Sequence, residues 1–251
     1  MRLYLIAMQF LTIIPLPFDT RCQKNDLGRS LAMFPLAGLT IGALLVGLNW
    51  LIAPWLARPL TDALLIAALA VVTGALHLDG LADVCDGLAA RGSRERFLTV
   101  MKDSHTGAVG AVGITLGLLL KWQALVAVPA EVKWQALLLF PILARFGQVQ
   151  TIVFARSARQ EGLGSTFTNG AGVLQLLVAW IMAVAASWLL LGIGGLGVLA
   201  VVMAGTWLLK AWSHHRLGGI TGDVVGCINE LNEILVLILL PVLLQISWLV
   251  R

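Results

Sequence analysis

The sequence predicts an all-α fold: a polytopic integral membrane helical bundle, with about seven transmembrane helices plus a short N-terminal membrane-associated helix. Three observations carry this. Of 251 residues, 59% are hydrophobic and only 12% are charged, about half the charged share of soluble domains. The mean hydropathy is +0.92. Several apolar stretches reach the roughly 20 residues that a helix needs to cross a bilayer. These stretches are continuously apolar rather than alternating, which argues against a β-barrel. Backbone in lipid must satisfy its own hydrogen bonds, so the spans are helical.

The chain begins MRLYLIAMQFLTIIPLPF. Arg2 gives it a thin basic start, but no small-residue cleavage site precedes Pro15 and Pro17. It therefore reads as a retained, Pro-ended helix in or dipping into the membrane rather than a signal peptide. Spans are then expected at about 31–53, 61–77, 107–128, 134–155, 172–191, 195–210 and 232–250. Trp50, Trp55, Trp122, Trp134, Trp188, Trp212 and Trp248 fall near the span ends, as interfacial anchors do. No internal repeat or low-complexity segment interrupts 1–251, which reads as a single integral membrane domain. Cys22, Cys85 and Cys227 form no CxxC or metal-type pair and read as small packing residues. The net charge of +4 is spread over loops without a Lys/Arg run, so no nucleic-acid partner is expected. The lipid bilayer is.

Loop charge orients the chain. One set of loops, at 18–30, 78–106, 156–171 and 211–231, holds Arg21, Lys24, Arg29, Arg91, Arg94, Arg96, Lys102, Arg156, Arg159, Arg216 and the bordering Lys210. The alternate set holds Arg58, Lys121, Lys133 and Arg251. Eleven against four is a positive-inside bias that places the first set in the cytoplasm. Asp79, Asp83, Asp86, Asp103, Glu161, Asp223, Glu230 and Glu233 fall on that same side, although they were not used to set it.

HLDGLADVCDG, residues 77–87, concentrates the chemistry. As a helix it spaces Asp79, Asp83 and Asp86 at i, i+4 and i+7, on one stripe. Three ionised carboxylates repel unless protonated or bound to a cation. Mg²⁺ suits them, because it takes oxygen ligands together with substrate phosphate; no His/Cys spacing suits zinc. A solvated, acid-rich helix end explains one such Asp better than three, since acids at membrane level are costly. His77 could orient or protonate a group, or simply be an interfacial histidine. In MKDSHTGAVG, Asp103 could complete the carboxylate cluster and Lys102 could bind phosphate; the following glycines also suit close helix packing. In GGITGDVVGCINELNE, Gly218, Gly219 and Gly222 suit a tight backbone turn able to cradle an anion. Asp223 and Glu230 would share a helical face, with Glu233 one turn beyond Glu230. Glu161 lies in the loop ARSARQEGLGS, and Arg145 lies inside a span, facing the bundle interior.

Two function classes compete. An intramembrane phosphotransferase would hold a metal on aspartates, bind a diphosphate and deprotonate an attacking hydroxyl. A cation- or proton-coupled transporter would place its acids near the bilayer midplane at related repeats. The acids here gather at one face and no repeat is visible, which favours the enzyme. A purely structural subunit would leave the acids unexplained.

Taken in order, HLDGLADVCDG, MKDSHTGAVG, EGLG and GGITGDVVGCINELNE, with the N-terminal QFLTIIPLP and AMFPLAGLTIGALLVG, resemble the motifs of the adenosylcobinamide-GDP ribazoletransferase (cobalamin synthase) family along essentially the whole chain. The resemblance implies a Mg²⁺-dependent inner-membrane transferase of late cobamide assembly. Its substrates would be a GDP-activated corrinoid and α-ribazole. The 5′ hydroxyl of α-ribazole, or its 5′-phosphate form, would attack the corrinoid-linked phosphorus and GMP would leave. Other late cobamide-pathway enzymes are candidate partners, and an oligomer is allowed. Carried over residue by residue, Asp79, Asp83, Asp86 and Asp103 are the metal candidates, and Asp83, Asp86 and Asp103 the catalytic ones. His77, Lys102, Arg145, Glu161, Gly219, Thr221, Gly222, Asp223, Glu230 and Glu233 are the substrate-binding candidates. His105 stands where this family often has Arg. The spaced aspartates are also similar to CDP-alcohol phosphotransferases, whose signature places Ala-Arg after Asp-Gly; here Ala82 is followed by Asp83.

Overall fold

A computed structural model describes residues 1–15, 23, 25–103, 105–159, 167 and 170–245. Among these, the regular elements are all helical, and the sole extended contact is an isolated bridge between Ser157 and Ile220. The α-helices are α1 (Arg2–Leu11), α2 (Asp26–Ser30), α3 (Phe34–Ile52), α4 (Arg58–Val72), α5 (Leu76–Ala89), α6 (Arg94–Val100), α7 (Ala108–Ala127), α8 (Lys133–Ile152), α9 (Val173–Leu217) and α10 (Gly222–Gln245).

α8 is the axis of the bundle. It is buried almost end to end, and α3, α9 and α10 pack on it. α3 approaches closely because Gly38 and Gly42 lay bare backbone against it. A Cβ on Gly38 would sit 2.5 Å from the Pro141 carbonyl oxygen. Small residues at such spacing are the usual route to tight packing in lipid, where apolar burial offers no drive.

By length and composition four helices can cross a bilayer, Asp26–Ile52, Ala108–Ala127, Val173–Leu217 and Gly222–Leu243, and a fifth if the α4–α5 pair is one span. The expected span over 61–77 is thus a shorter α4 that bends by 89° into α5. Gly74 and Ala75 make the bend with left-handed φ of 59° and 55°, a conformation unfavourable for alanine. The expected spans 172–191 and 195–210 are the two arms of α9. Gly192 breaks the helix at φ 58°, ψ −139°. Past it the chain folds back, so that a Cβ on Gly195 would meet the Ser187 carbonyl oxygen. The last span starts at Gly222, ten residues before the expected 232, and so takes Asp223 and Glu230 into the same helix as Glu233. At the N-terminus, α1 is the expected short helix. Its 10 residues cover about 15 Å, too little to span. Ile6, Ala7, Met8 and Leu11 are buried there.

α7 separates the two ends of the bundle. Asp86 sits on its N-terminal amides, while past its C-terminus the Arg58 guanidinium donates to the Val128 carbonyl. Its 20 residues put about 30 Å between them. Lys133 stands at the Arg58 end, paired with buried Asp62 at 2.5 Å. One member of the alternate loop set is misplaced by sequence reasoning: Lys121 is not a loop residue but a side chain 2% exposed inside α7.

Candidate active site

The site begins where α5 crosses α10. A Cβ on Gly80 would lie 2.6 Å from the Asp223 carbonyl oxygen, so backbone meets backbone there. That contact brings the first and last acidic motifs together. Asp83 consequently feels the charges of Asp223, Asp79 and Asp86, with Arg159 the opposing cation. Arg159 Nη1 stands 3.4 Å from Asp223 Oδ2, and Arg159 Nη2 donates to the Leu98 carbonyl. Asp79 is exposed, while Asp83 and Asp223 are half-buried. Thr221 Oγ1 accepts the Val224 amide at 3.2 Å, an N-cap that fixes the start of α10. Gly219 packs directly against backbone. A Cβ there would fall 2.3 Å from the Arg156 carbonyl oxygen, and its neighbour Ile220 is hydrogen-bonded to Arg156 and Ala158. Its role is to let two loops pair beside the site.

A cavity opens on this crossing. Asp79, Asp223, Gly222, His77 and Gln148 line it together with Phe10, Phe34 and Phe167. Gln148 Nε2, an amide nitrogen, donates to His77 Nε2 at 2.7 Å. His77 is therefore a buried, partnered side chain on the cavity wall.

Asp86 and Asp103 lie elsewhere. Both oxygens of Asp86 accept amides at the start of α7, Gly107 N and Gly110 N, each at 2.7 Å. This is anion binding at a helix N-terminus by a side chain of the same protein. Gly107 and Gly110 are small because a Cβ on either would strike that carboxylate. Asp103 shares an open cleft with Asp86, is 60% exposed, and contacts His105 Nδ1 at 2.7 Å. The His105 hydrogen bond holds the Asp103 carboxyl below its usual range. Lys102 is exposed beside it. Glu161 lies outside the described residues.

Glu230, Glu233 and Arg145 form a third group, sealed in the bundle. Lys121 Nζ donates to Glu230 Oε2 at 2.6 Å and to Glu233 Oε2 at 2.8 Å. Arg145 Nη1 and Asn229 Nδ2 hold Glu233 Oε1. Two cations thus balance two carboxylates, and none of the four residues is more than 3% exposed. These residues brace the helices behind the cavity and do not line it.

The four aspartates expected to share an ion therefore stand in two places, Asp79 and Asp83 at the α5–α10 crossing and Asp86 and Asp103 around the start of α7. Among the described residues no three His, Cys, Asp or Glu side chains form a ready-made metal nest. The α5–α10 donors still fit magnesium. They are all carboxylate oxygens, and Asp79, Asp83 and Asp223 outnumber the single Arg159. Mg²⁺ is held by one or two carboxylates plus water and substrate phosphate, so no full protein cage is needed. Arg159, Gln148 and Lys121 were missed from sequence as site or support residues. Arg159 alone left a signal, as a basic residue in the ARSARQEGLGS loop.

The geometry defines a helical membrane protein with an acid-rich, cation-flanked cavity at one end of its bundle. A family model described as cobalamin-5-phosphate synthase matches residues 3–241, and the chain belongs to that family. An adenosylcobinamide-GDP ribazoletransferase of Geotalea daltonii is 61% identical over 240 residues, covering 96% of this chain and 97% of the relative. Relatives of the same name are 36% identical in Acetivibrio thermocellus (94% and 95% covered) and 37% identical in Pseudomonas syringae pv. syringae (95% and 98% covered). No solved structure matches the chain. The CDP-alcohol phosphotransferase and transporter readings are not favoured.

Proposed function

We propose that the chain is an adenosylcobinamide-GDP ribazoletransferase whose reaction takes place at the α5–α10 crossing. The observation that carries this is the Gly80–Asp223 contact, which unites the first and last motifs beside Arg159. A hydroxyl of α-ribazole bonds to the corrinoid-linked phosphorus. The bond from that phosphorus to the bridging diphosphate oxygen breaks, and GMP leaves with the electron pair. The family description, cobalamin-5-phosphate synthase, argues against attack by the 5′ oxygen. A product bearing a 5′-phosphate has that oxygen esterified already, so a secondary ribose hydroxyl is the better nucleophile.

Asp79 and Asp83, one turn apart on α5, would hold Mg²⁺. The ion would neutralise charge developing on the diphosphate. Asp223 is placed to take the hydroxyl proton. Arg159 would pair with phosphate oxygens as GMP departs. Asp86 is a positioning residue that pins α5 to the start of α7.

In membranes given GDP-cobinamide and α-ribazole, GMP should appear with Mg²⁺ and fall to background after chelation. CDP-diacylglycerol should release no CMP. GMP release that survives chelation would remove the metal from this reading, and no GMP under any condition would sink it. The site should face the cytoplasm of an inner membrane. Without Lys121, Arg58, Lys133 and Arg251 remain of the alternate loop set, so the charge bias holds. Single cysteines placed in 91–106 should label from the cytoplasm only; labelling from the opposite side would reverse the topology.

A further inference from the structure

We infer that the phenylalanine-walled cavity beside Asp79 is the subsite for the aromatic base of the nucleophilic substrate. The inference rests on the reaction proposed above. Phe10, Phe34 and Phe167 come from separate parts of the chain and meet in one cluster. Phe10 and Phe167 stand edge to face with centroids 4.7 Å apart, and Phe34 and Phe167 at 6.0 Å. All three rings border the cavity that Asp79 and Asp223 share; Phe10 is partly exposed to it, while Phe34 and Phe167 are buried in the core and back it. Aromatic walls of this kind recognise flat apolar rings by stacking and edge contact.

A second observation orients the ligand. Gln148 lines the same cavity and is 1% exposed, and its Oε1 has no hydrogen-bond partner among the described residues. A buried amide oxygen without a donor is costly. Ribose hydroxyls supply donors, whereas the benzimidazole of α-ribazole, once joined to ribose, has none. Base against Phe10 and hydroxyls toward Gln148 and Asp79 satisfies both the apolar and the polar lining. It also delivers a ribose oxygen to the carboxylates where the phosphorus must arrive. The corrinoid, a broad macrocycle, would then stay outside the cavity and present only its diphosphate.

Steady-state kinetics on the full chain in detergent or membranes test this. Phe10→Ala should raise KM for α-ribazole about tenfold, in keeping with one lost base-to-ring contact, and leave KM for GDP-cobinamide and kcat within about twofold. Phe10→Leu, which keeps apolar bulk without the ring, should shift KM for α-ribazole in the same direction, and Phe10→Trp should restore it. If KM rises for GDP-cobinamide alone, for both substrates equally, or for neither, the subsite is wrong. Should Phe10→Ala fail to fold, the Phe10→Leu and Phe10→Trp pair decides by the same criteria. Failure of the parent reading looks different: the unmutated protein would then release no GMP from these two substrates.

Discussion

Asp83→Asn should lower turnover at least roughly 100-fold while leaving the protein as stable as the unmutated chain, or slightly more so. Asn keeps the shape of Asp and one oxygen, so packing around α5 is preserved. What is lost is a negative charge set against Asp79, Asp86 and Asp223. Like charges at i, i+4, as Asp79 and Asp83 are, destabilise a helix by about 0.2–0.5 kcal/mol. Relieving that repulsion should raise the unfolding midpoint or leave it unmoved. The activity estimate follows from metal chemistry: disturbing even the groups behind a ligand costs about 10–100-fold, and Asp83 is proposed as a ligand itself. Lost turnover with retained stability marks a residue kept for function against the interest of the fold. GMP release measured with rising Mg²⁺, alongside thermal unfolding in detergent, checks both halves. Turnover at the unmutated level would remove Asp83 from the site, and a large drop in stability would make its role structural.

How much of this was legible in the sequence depended on how local the signal was. The stripe of Asp79, Asp83 and Asp86 follows from spacing alone, and α5 is helical as expected. Yet one stripe serves two purposes. Asp86 turns to the amides of Gly107 and Gly110, whose spacing also reads as ordinary helix packing. The break in α9 was visible because Gly192 and its glycine neighbours interrupt an apolar run. The start of α10 was not. Asp223, Asn229, Glu230 and Asn232 depress local hydropathy, and a window of sequence has no knowledge of the partners that offset those groups. Lys121 failed for the same reason. A lysine near a span end looks interfacial until its acceptor, 109 positions away, is found. Arg94 and Lys210, read as loop charge, close helix ends by donating to the carbonyls of Leu217 and Val153.

Lys121→Met should be the most destabilising single change among the described charges, at about 3–5 kcal/mol, the cost of stranding a buried charge by removing its partner. Lys121 is shared by Glu230 and Glu233, and its removal leaves two carboxylates facing Arg145 alone. Neither carboxylate can reach water, since Glu230 is 3% and Glu233 1% exposed. Methionine fills most of the lysine's volume, so the loss is electrostatic rather than a cavity. The second substitution gives the diagnostic. Lys121→Met combined with Glu230→Gln restores one cation for one anion, and should recover most of the lost stability even though it carries an additional mutation. Such coupling is what a double-mutant cycle isolates for residues in contact. Urea or thermal unfolding of the four proteins in one detergent measures it. Additive losses in the double variant would show that Lys121 and Glu230 do not act as a pair. A single variant within about 1 kcal/mol of the unmutated chain would mean that the network is hydrated like a surface ion pair. The cavity has a stake in the outcome, because Arg145 and Glu233 lie close enough to His77 on its wall for their charges to be felt there. Restoring the balance in the double variant should therefore also return whatever turnover Lys121→Met alone removes.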